Sequence, residues 1–553
     1  MPVVNLNKKR VLDLLGEDVS DDTLKDRISY LGTDLEEIND SEIVVEIFPN
    51  RPDLLSEEGF SRALKSFMGF ESGLRNYVVK KGDYEVIVDK SVSSVRPFTV
   101  CLVAKNLDIN SDVLNNIINI QEKLHVTYGR NRKKCAIGVY PIENIVFPIS
   151  YKALNPKDIV FVPLGESDLM NGFDLLKKTG AGRDYGYLLE GKKKFPVFLD
   201  SKNEVLSVPP ILNSEKTGSV TVNTKDLFVE CSGHDLDVLN KALNMIGVAL
   251  SDMGGDIFSV CVKYDNKKIV TPDFSNDVIS VNCDYFSKYL GVDLSVDAVS
   301  LYLGRMGFGV KTKKGGELDV LIPCYRSDIL HPVDLVEDVC IAFGFDNVFD
   351  DKNYVYSVGK ELFVEKVKEK VRDIFVGDGL IEVVNYSLLN FDFQKKNGLD
   401  NIVSIKNPNT SEFNSMRRFL FPVILKTFKN NKMNEFPQKI FESGVVFEKI
   451  DDGVRENNNL CVGICSDSAS FTWVKQRLNL LGSLFNVEFS LKRKNFDFFI
   501  KGRSASILIK NNDDWVEIGF LGEVNLDVIR LYGLEHAISL FELDLDFISK
   551  MIS

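Results

Sequence analysis

The order of apolar and polar residues predicts short strands and amphipathic helices from one end of the chain to the other. Residues 42–48 are rich in β-branched side chains and predict a strand, which Pro49 ends. Ser56 then precedes a predicted helix whose apolar residues recur at helical spacing. These are Phe60, Ala63, Leu64, Phe67 and Met68. We therefore expect residues 1–83 to form an N-terminal α+β docking module.

The next two stretches predict further modules. Residues 84–268 mix short apolar strands with helices, the last of them near 236–250. Residues 269–350 predict a compact unit of strands and helices around a glycine turn. Its expected features are a strand near 278–281, the turn Gly315-Gly316, a strand at 318–322 and a helix from Pro332.

The remaining residues, 351–553, alternate long helices with strands of antiparallel type. Residues 504–510 and 515–520 flank the polar sequence Asn511-Asn512-Asp513-Asp514 and predict a hairpin. The whole pattern is typical of an α+β multidomain protein.

Composition narrows the possible classes. The 553 residues are 44% apolar and carry a net charge of -13, so the protein as a whole repels a phosphate backbone and can meet nucleic acid only through a local basic patch or a basic partner. No apolar run reaches the ~20 residues of a membrane span, and the first residues lack a secretory core, so we expect a cytoplasmic protein. The nine cysteines and four histidines are scattered, which leaves oxygen as the expected metal ligand.

Four acidic residues form the most distinctive cluster. Asp334, Glu337 and Asp338 share one face of the helix that Pro332 begins, and Asp328 can fold back from the preceding loop. Carboxylates placed so closely repel one another unless a hard cation neutralises them, and Mg²⁺ fits that requirement. The alternative is that acids in a first turn only complement the helix dipole.

Two other polar segments have two interpretations each. Hydroxyls, a histidine and carboxylates in 205–217 and 231–235 could form a pocket that positions a water for hydrolysis, or could be two unrelated polar loops. Arg417 and Arg418 could hold a phosphate or a partner's carboxylate, or could simply face solvent.

Three ordered motifs resemble the β subunits of phenylalanyl-tRNA synthetases of the shorter archaeal and eukaryotic cytosolic type. They are the residues 48–56, 207–214 and 325–345. The resemblance implies a role in the ATP-driven ligation of phenylalanine to tRNA(Phe) through an aminoacyl-adenylate. It also implies an α2β2 heterotetramer whose aminoacylation site lies in the α subunit. By the same resemblance, Asp328, Asp334, Glu337 and Asp338 are Mg²⁺ ligands.

The resemblance further implies an editing pocket that hydrolyses tRNA mischarged with tyrosine. A second sieve of this kind is physically reasonable, because an apolar pocket rejects an added hydroxyl only about 10²-fold. The matching residues are Ser214, Thr217, Asp226, Ser232, His234 and Asp235. This chain reads Ser232-Gly233-His234-Asp235 where the family has Thr-Gly-Thr-Asp, so an imidazole replaces a hydroxyl.

The resemblance thus divides the chain into a docking module at 1–83, an editing-like module at 84–268, a metal-carboxylate module at 269–350 and a class II synthetase-like antiparallel core at 351–553. That core lacks catalytic residues. The strand at 439–444 has no arginine that could bind the ATP α-phosphate, and Arg530 lies too far beyond 519–522 to be the suitably spaced arginine of an active copy. Two alternatives remain open. The chain could be a non-catalytic scaffold or tRNA-binding protein, or a free-standing deacylase of mischarged tRNA.

Overall fold

The computed structural model describes residues 2–348, 357–511 and 514–553. The chain divides into two compact units, residues 1–352 and 353–553, which are described separately below. Among the described residues, no helix combines the length and the apolar character that a membrane crossing requires. Helices and sheets occur in both units, which confirms the α+β multidomain prediction.

The first module confirms the predicted strand and helix. Its elements are β1 (Val3–Asn7), α1 (Lys8–Leu15), α2 (Asp21–Tyr30), β2 (Asp34–Ile38), β3 (Glu42–Glu46) and α3 (Glu57–Phe67), with the sheet order β1-β3-β2. Ser56 caps α3 by accepting a hydrogen bond from the Gly59 amide at 3.0 Å. Before it, Arg51 donates two hydrogen bonds to the Asp53 carboxylate, both 2.9 Å long and both buried.

The central module is built on one large sheet. Its elements are β4 (Val79–Val88), β5 (Phe98–Lys105), α4 (Ser111–Val126), β6 (Cys135–Pro141), β7 (Ile149–Leu154), β8 (Val160–Phe161), β9 (Met170–Asn171), α5 (Gly172–Lys178), α6 (Gly180–Tyr185), β10 (Phe195–Leu199), β11 (Val205–Val208), β12 (Leu212–Asn213), α7 (Glu215–Gly218), β13 (Leu227–Gly233), α8 (Leu236–Asp252), β14 (Asp256–Tyr264) and β15 (Lys267–Thr271). The strand order is β12-β11-β10-β7-β4-β14-β5-β13-β6, and β15 pairs with β14. The helix predicted near 236–250 is α8.

Two predicted module boundaries need correction. The boundary after residue 83 falls inside β4, and the boundary after residue 268 falls inside β15. Both strands are hydrogen-bonded to β14, so cutting either one would leave backbone groups of this sheet unpaired. The sheet therefore extends from residue 79 to residue 271.

The third module matches its predicted elements. They are β16 (Asp277–Asn282), α9 (Cys283–Leu290), α10 (Val296–Arg305), β17 (Gly309–Thr312), β18 (Glu317–Ile322) and α11 (Pro332–Phe343), with the sheet order β16-β18-β17. Gly315 and Gly316 both have φ of +79°, a left-handed conformation that suits glycine and explains the turn.

The first and third modules repeat one another, which the sequence analysis missed. Both run strand, helix, helix, strand, strand, helix, and both sheets place the third strand between the first and second. Equivalent residues keep one constant spacing along the chain without insertion or deletion. The pairs Gly16 and Gly291, Gly32 and Gly307, Arg51 and Arg326, Asp53 and Asp328, Gly69 and Gly344, and Phe70 and Phe345 are identical. Arg326 also binds Asp328 with two hydrogen bonds, as Arg51 binds Asp53.

The C-terminal unit surrounds a seven-stranded sheet. Its elements are α12 (Phe363–Gly377), β19 (Ile381–Glu382), β20 (Leu388–Leu389), α13 (Phe391–Lys396), β21 (Ser415–Met416), α14 (Phe421–Asn430), β22 (Gln438–Ile450), β23 (Gly453–Cys465), α15 (Phe471–Phe485), β24 (Phe489–Arg493), β25 (Phe499–Asn511), β26 (Asp514–Val524), α16 (Leu526–Leu531), β27 (Ile538–Asp544) and α17 (Leu545–Ile552). The order is β19-β22-β23-β27-β26-β25-β24, antiparallel except for β19 beside β22. The predicted hairpin is β25 and β26, and its turn residues 512 and 513 lie outside the described residues.

Candidate functional site

A cavity of about 250 Å³ opens beside the central sheet, between α4 and the loop after β11. Most of its wall is apolar and comes from residues such as Ile117, Ile137, Val139, Ile211 and Leu212. A cavity of about 150 Å³ is enough to bind benzene, so this one has room for a phenyl or phenol ring. An apolar cavity with few polar groups is the usual form of a small-ligand site.

Glu230 is the carboxylic acid buried in this wall. It lies in the middle of β13, only 2% exposed, opposite Gly138 of β6 and Cys101 of β5. Its Oε2 is buried and makes no hydrogen bond. Burial raises the pKa of Glu230 to about 8, although the Arg96 guanidinium nearby opposes the shift. At neutral pH this residue is therefore largely a protonated acid, able both to donate and to accept a hydrogen bond.

The neighbours of Glu230 fix its position. Tyr140 donates a 2.7 Å hydrogen bond to Ser207 Oγ, and its hydroxyl lies 3.3 Å from Glu230 Oε1. Gly138 makes this arrangement possible, because a β-carbon there would lie 2.2 Å from the Tyr140 hydroxyl and 2.7 Å from Glu230 Oε1. With Oε1 placed by its neighbours, Oε2 is left without a hydrogen bond, as is Nε of Arg132 in the same wall.

A charged network forms another part of the wall. His125 is buried, its Nε2 accepts a hydrogen bond from the Ile137 amide at 2.8 Å, and its Nδ1 lies 3.2 Å from Glu122 Oε1. Burial lowers the pKa of His125, so the neutral ring that these bonds require is favoured. Burial opposes ionisation of Glu122, yet His125 and Arg132 lower its pKa to about 2. Both groups are engaged, so neither is free to act as a base.

Arg132 holds this network against the cavity loop. Its Nη2 donates to Glu122 at 3.0 Å, and its Nη1 donates to the carbonyl oxygen of Ile211 at 2.7 Å. The guanidinium also stacks over the ring of Tyr185 at 4.2 Å. These contacts tie the cavity loop to α4.

The six predicted editing residues do not line this cavity, and the prediction of a single pocket formed by them needs correction. Asp226 precedes β13, whereas His234 and Asp235 follow it, so the two groups lie about 20 Å apart along the strand. Asp226 accepts a hydrogen bond from the Asn106 amide, and Asp235 caps α8 through the amides of Asp237 and Val238. These carboxylates stabilise turns and helix ends.

The other four candidates also lie outside the lining of the cavity. Ser214 is buried at the start of α7, and Thr217 donates to the Val205 carbonyl at 2.9 Å. Ser232 is on the same face of β13 as Glu230, and its Oγ accepts a hydrogen bond from Arg96 Nε at 3.2 Å. His234 is exposed, and partial burial, Arg96 and Lys192 lower its pKa. The cavity uses neighbours of these residues, among them Asn213, Gly218 and Glu230.

The structure does not bring the four predicted magnesium ligands together. Arg326 donates to Asp328 at 2.8 Å and to Asp338 at 2.7 Å, so a buried guanidinium neutralises these two carboxylates. Asp334 accepts hydrogen bonds from the amides of Leu330 and His331, both 2.7 Å long, at the start of α11. Glu337 is exposed on the same helix.

These residues do not fit a four-carboxylate magnesium centre. Among the described residues, the acids that do cluster within metal-ligand distance are Asp34, Glu36 and Glu46 of the first module. Asp334 instead fits the alternative interpretation, in which an acid in the first turn of a helix only complements the helix dipole. Mg²⁺ binding therefore stays a prediction.

The C-terminal unit has a cavity of about 330 Å³ on its sheet. Four acids line it, namely Glu448, Glu517, Glu542 and Asp544, and Arg418 is the single cation among its described lining residues. Arg418 is paired with Glu448 at 2.6 Å, and Arg417 is paired with Glu442 inside the core at the same distance. Neither arginine of the pair is available for a phosphate. Arg530 is exposed and lies 3.8 Å from Asp527.

Glu542 shows what the acids of this cavity do. It accepts hydrogen bonds from the amides of Leu420 and Phe421, at the start of α14, and from Asn459 Nδ2. Burial raises its pKa to about 7 despite these donors. It anchors α14 on the sheet. Because the cavity's one lining cation, Arg418, is already paired, no cation in it is free to bind a triphosphate.

Glu230 is the candidate site residue that the sequence pattern did not single out. A signal was present, because a single carboxylate stands between Val229 and Cys231 in an otherwise apolar strand, and acids are seldom fully buried without a partner or a role. His125 and Glu122 are spaced by three residues on α4, but that pattern is common on solvent-facing helices and predicts no cavity.

Three family models match the chain. The model of the Phe-tRNA synthetase beta subunit B1 domain matches residues 1–70, that of the tRNA synthetase B5 domain matches residues 279–345, and that of the phenylalanyl tRNA synthetase beta chain CLM domain matches residues 355–545. The first two coincide with the repeated modules. The third coincides with the C-terminal unit.

Individual relatives extend the match to the whole chain. The phenylalanine–tRNA ligase beta subunit of Archaeoglobus fulgidus is 34% identical and that of Methanococcus aeolicus 35% identical, each over 99% of this chain and at least 98% of its own length. The crystal structure of an N-terminal fragment of the phenylalanyl-tRNA synthetase beta subunit from Pyrococcus horikoshii matches with a TM-score of 0.60 and 36% identity, over 62% of this chain and 99% of the fragment. On this identity and coverage, the chain belongs to the family of phenylalanine–tRNA ligase β subunits.

Proposed function

We propose that this chain is the editing subunit of a phenylalanine–tRNA ligase and hydrolyses tyrosine that has been wrongly attached to tRNA(Phe). The α subunit of an α2β2 heterotetramer makes the aminoacyl-adenylate. The observation that carries the proposal is the unpartnered, buried Oε2 of Glu230 in an aromatic-sized cavity. The name of the relatives, a ligase β subunit, supplies the substrate class.

The selectivity follows from the energetics of a buried polar atom. Tyrosine and phenylalanine differ by one hydroxyl. An unpaired buried oxygen costs about 1–3 kcal/mol, a cost that a phenol hydroxyl relieves and a phenyl ring does not. Sites that hydrogen-bond a substrate hydroxyl reject the analogue without it by as much as about 10⁴-fold. The cavity would therefore accept tyrosine and exclude the correct product.

The test is deacylation of tRNA(Phe) charged with either amino acid. The full chain, alone and with its α subunit, is mixed with tyrosyl-tRNA(Phe) or phenylalanyl-tRNA(Phe), and release of the amino acid is followed. We expect tyrosine to be released at least tenfold faster than phenylalanine. Equal and slow release from both would leave the chain without an editing function.

We propose that the C-terminal unit is a class II-like core that does not make adenylate. Its antiparallel sheet and helices support the resemblance, and its acidic cavity would repel a triphosphate. The chain alone should show no phenylalanine-dependent exchange of pyrophosphate into ATP, and charging should appear only when α is added. Robust charging by the chain alone would overturn this part of the proposal.

We propose that this unit also docks the α subunit. The segment from Ile381 to Tyr386 and the residue Met433 expose large apolar side chains to solvent; Val384 is 90% and Met433 is 89% exposed. Such apolar surface is typical of a subunit interface. Val384→Ser together with Met433→Ser should weaken co-purification with α, whereas Lys366→Ser together with Lys370→Ser on the exposed face of α12 should not.

Mg²⁺ remains part of the proposal in a reduced form. Asp334 and Glu337 are the two predicted ligands that Arg326 does not engage. Changing both to alanine should abolish Mg²⁺ retention by the αβ complex, measured as bound metal after gel filtration. Unchanged metal content would leave only the helix-capping role of Asp334.

A further inference from the structure

A set of uncompensated cations lies beside the cavity. Its members, which we call the basic rim, are Arg130, Lys133, Lys134, Arg183, Lys192, Lys193 and Lys194, and all are exposed. Within the part of the chain that the structure describes, none of them forms an ion pair with a carboxylate. In a protein of net charge -13 such a cluster is a strong local departure.

Contacts between the segments bring these residues together. Arg132 lines the cavity and stacks on Tyr185, which places the 130–134 loop against the end of α6. Arg96 donates to the carbonyl of Arg132 at 3.2 Å and to Ser232, and Lys192 donates to the carbonyl of Ser94 at 3.4 Å. The three segments of the basic rim therefore meet around Arg96.

The pairing of β13 with β6 adds His234 to the same place. Gly233 lies opposite Cys135, so Lys134 and His234 are neighbours at the ends of their strands. The lowered pKa of His234, to which Arg96 and Lys192 contribute after partial burial, is consistent with cations on several sides. Arg96, Lys134 and Lys192 therefore lie near His234, although the protein as a whole is acidic.

The backbone holds the first segment in a costly conformation. Arg130, Asn131 and Arg132 have φ of +48°, +53° and +63°, a region where each residue other than glycine costs about 1–2 kcal/mol. Their amides are all bonded to the end of α4, which keeps the loop in place. Strain of this kind is found where the side chains have a function.

An exposed aromatic residue accompanies the cations. Tyr187 follows Arg183 and precedes Lys192, and 56% of it is exposed. Cationic grooves with aromatic side chains are the common form of sites for single-stranded nucleic acid, because phosphates bind the cations and bases stack on the rings.

We infer that the basic rim binds the single-stranded 3′ end of the tRNA whose amino acid enters the cavity. The inference rests on the proposed editing function, since it supplies the RNA contacts that place an aminoacyl group at Glu230. It also explains how an acidic protein can bind a polyanion. At distances below the Debye length of about 10 Å, the attraction of the nearby cations outweighs the screened repulsion from distant acids.

The experiment compares three variants of the αβ complex. Two remove rim charges, Lys192→Gln/Lys193→Gln/Lys194→Gln and Arg130→Gln/Lys133→Gln/Lys134→Gln. The matched control, Lys311→Gln/Lys313→Gln/Lys314→Gln, removes the same charge from an exposed run in the third module. Each protein is assayed for deacylation of tyrosyl-tRNA(Phe) and of tyrosine ethyl ester, and for binding of an RNA hairpin with a single-stranded 3′ end, over a range of salt concentrations.

Each rim variant should raise KM for tyrosyl-tRNA(Phe) at least tenfold and weaken hairpin binding, while the control and the ester assay stay at wild-type values. The slope of log affinity against log salt should fall by about 2, because each single-strand phosphate contact contributes about 0.7. Wild-type KM and salt slope in both rim variants would overturn the inference. Failure of the wild-type protein to deacylate either substrate would instead contradict the editing proposal. The hairpin-binding assay would still test whether the basic rim binds RNA.

Discussion

The Tyr140 hydroxyl lies 3.3 Å from Glu230 Oε1 and donates to Ser207, so one oxygen of the buried acid is placed by the protein and the other makes no hydrogen bond. In the proposed editing reaction this second oxygen binds the tyrosine hydroxyl. Replacing Glu230 with alanine removes that ligand contact. We expect Glu230→Ala to slow tyrosyl-tRNA(Phe) deacylation about 10- to 100-fold, as the loss of one buried hydrogen bond of about 1–3 kcal/mol requires.

The control for this prediction is Glu230→Gln, which keeps an acceptor and a donor in the cavity but cannot ionise. It should retain most of the activity at neutral pH. Equal activity of wild type and Glu230→Ala would show that the acid does not recognise the substrate.

Stability should depend on pH through the same residue. Burial raises the pKa of Glu230 from 4.5 to about 8, so between these values the folded state holds a proton that the unfolded state has lost. Its contribution to stability is therefore fully present below pH 4.5 and is lost as pH rises toward 8, at up to about 1.4 kcal/mol per pH unit. The midpoint of thermal unfolding of Glu230→Gln, relative to wild type, should rise steadily from pH 5 to pH 8.

A difference between the two midpoints that stays constant over this range would contradict the raised pKa. Because the comparison is a difference at each pH, the titration of groups remote from Glu230 cancels.

Gly138 offers a test of the geometry that does not change the acid. A β-carbon at this position would collide with Tyr140 and Glu230, so Gly138→Ala should displace both, destabilise the protein by about 1–3 kcal/mol and reduce tyrosine release. Gly180 is the matched control, because nothing lies within 4 Å of its β-carbon position and its φ is ordinary. Thermal unfolding and deacylation are measured on both variants. Wild-type stability and activity in Gly138→Ala would show that the packing around Gly138 is not as close as the distances indicate.

Local patterns along the chain predict much of this fold. The cap at Ser56, the strand at 42–48, the helix from Pro332 and the hairpin of β25 and β26 all follow from short-range rules, and all four are confirmed. The boundaries after 83 and 268 failed because β4 and β15 join a sheet whose strands are far apart in sequence. Periodicity carries no information on which distant strands pair.

The site was harder to predict for a related reason. The hydroxyl and imidazole groups at 214–217 and 232–235 are conspicuous in the sequence, but several are used in turns and caps that any polar residue can serve. Glu230 and Tyr140 meet only because β13 pairs with β6, and Gly138 matters only once that register is known. The acids near Asp334 were predicted to share one helix face, but Asp338 is buried whereas Glu337 is exposed. The buried Arg326 that neutralises Asp328 and Asp338 lies outside the helix, so the spacing of the acids could not reveal it.

The Arg326 network gives the last prediction, which concerns stability. Arg326→Gln removes the guanidinium that pairs with Asp328 and with the buried Asp338, and burial already raises the pKa of Asp338. Loss of one partner from a buried ion pair costs about 3–5 kcal/mol, so the thermal unfolding midpoint should fall clearly. Glu337→Gln, on the exposed side of the same helix, should change stability by no more than about 0.5 kcal/mol. If both variants shifted the midpoint equally, Arg326 would not be the group that compensates these carboxylates, and Arg51, which also lowers the pKa of Asp338, would be the leading candidate for that charge.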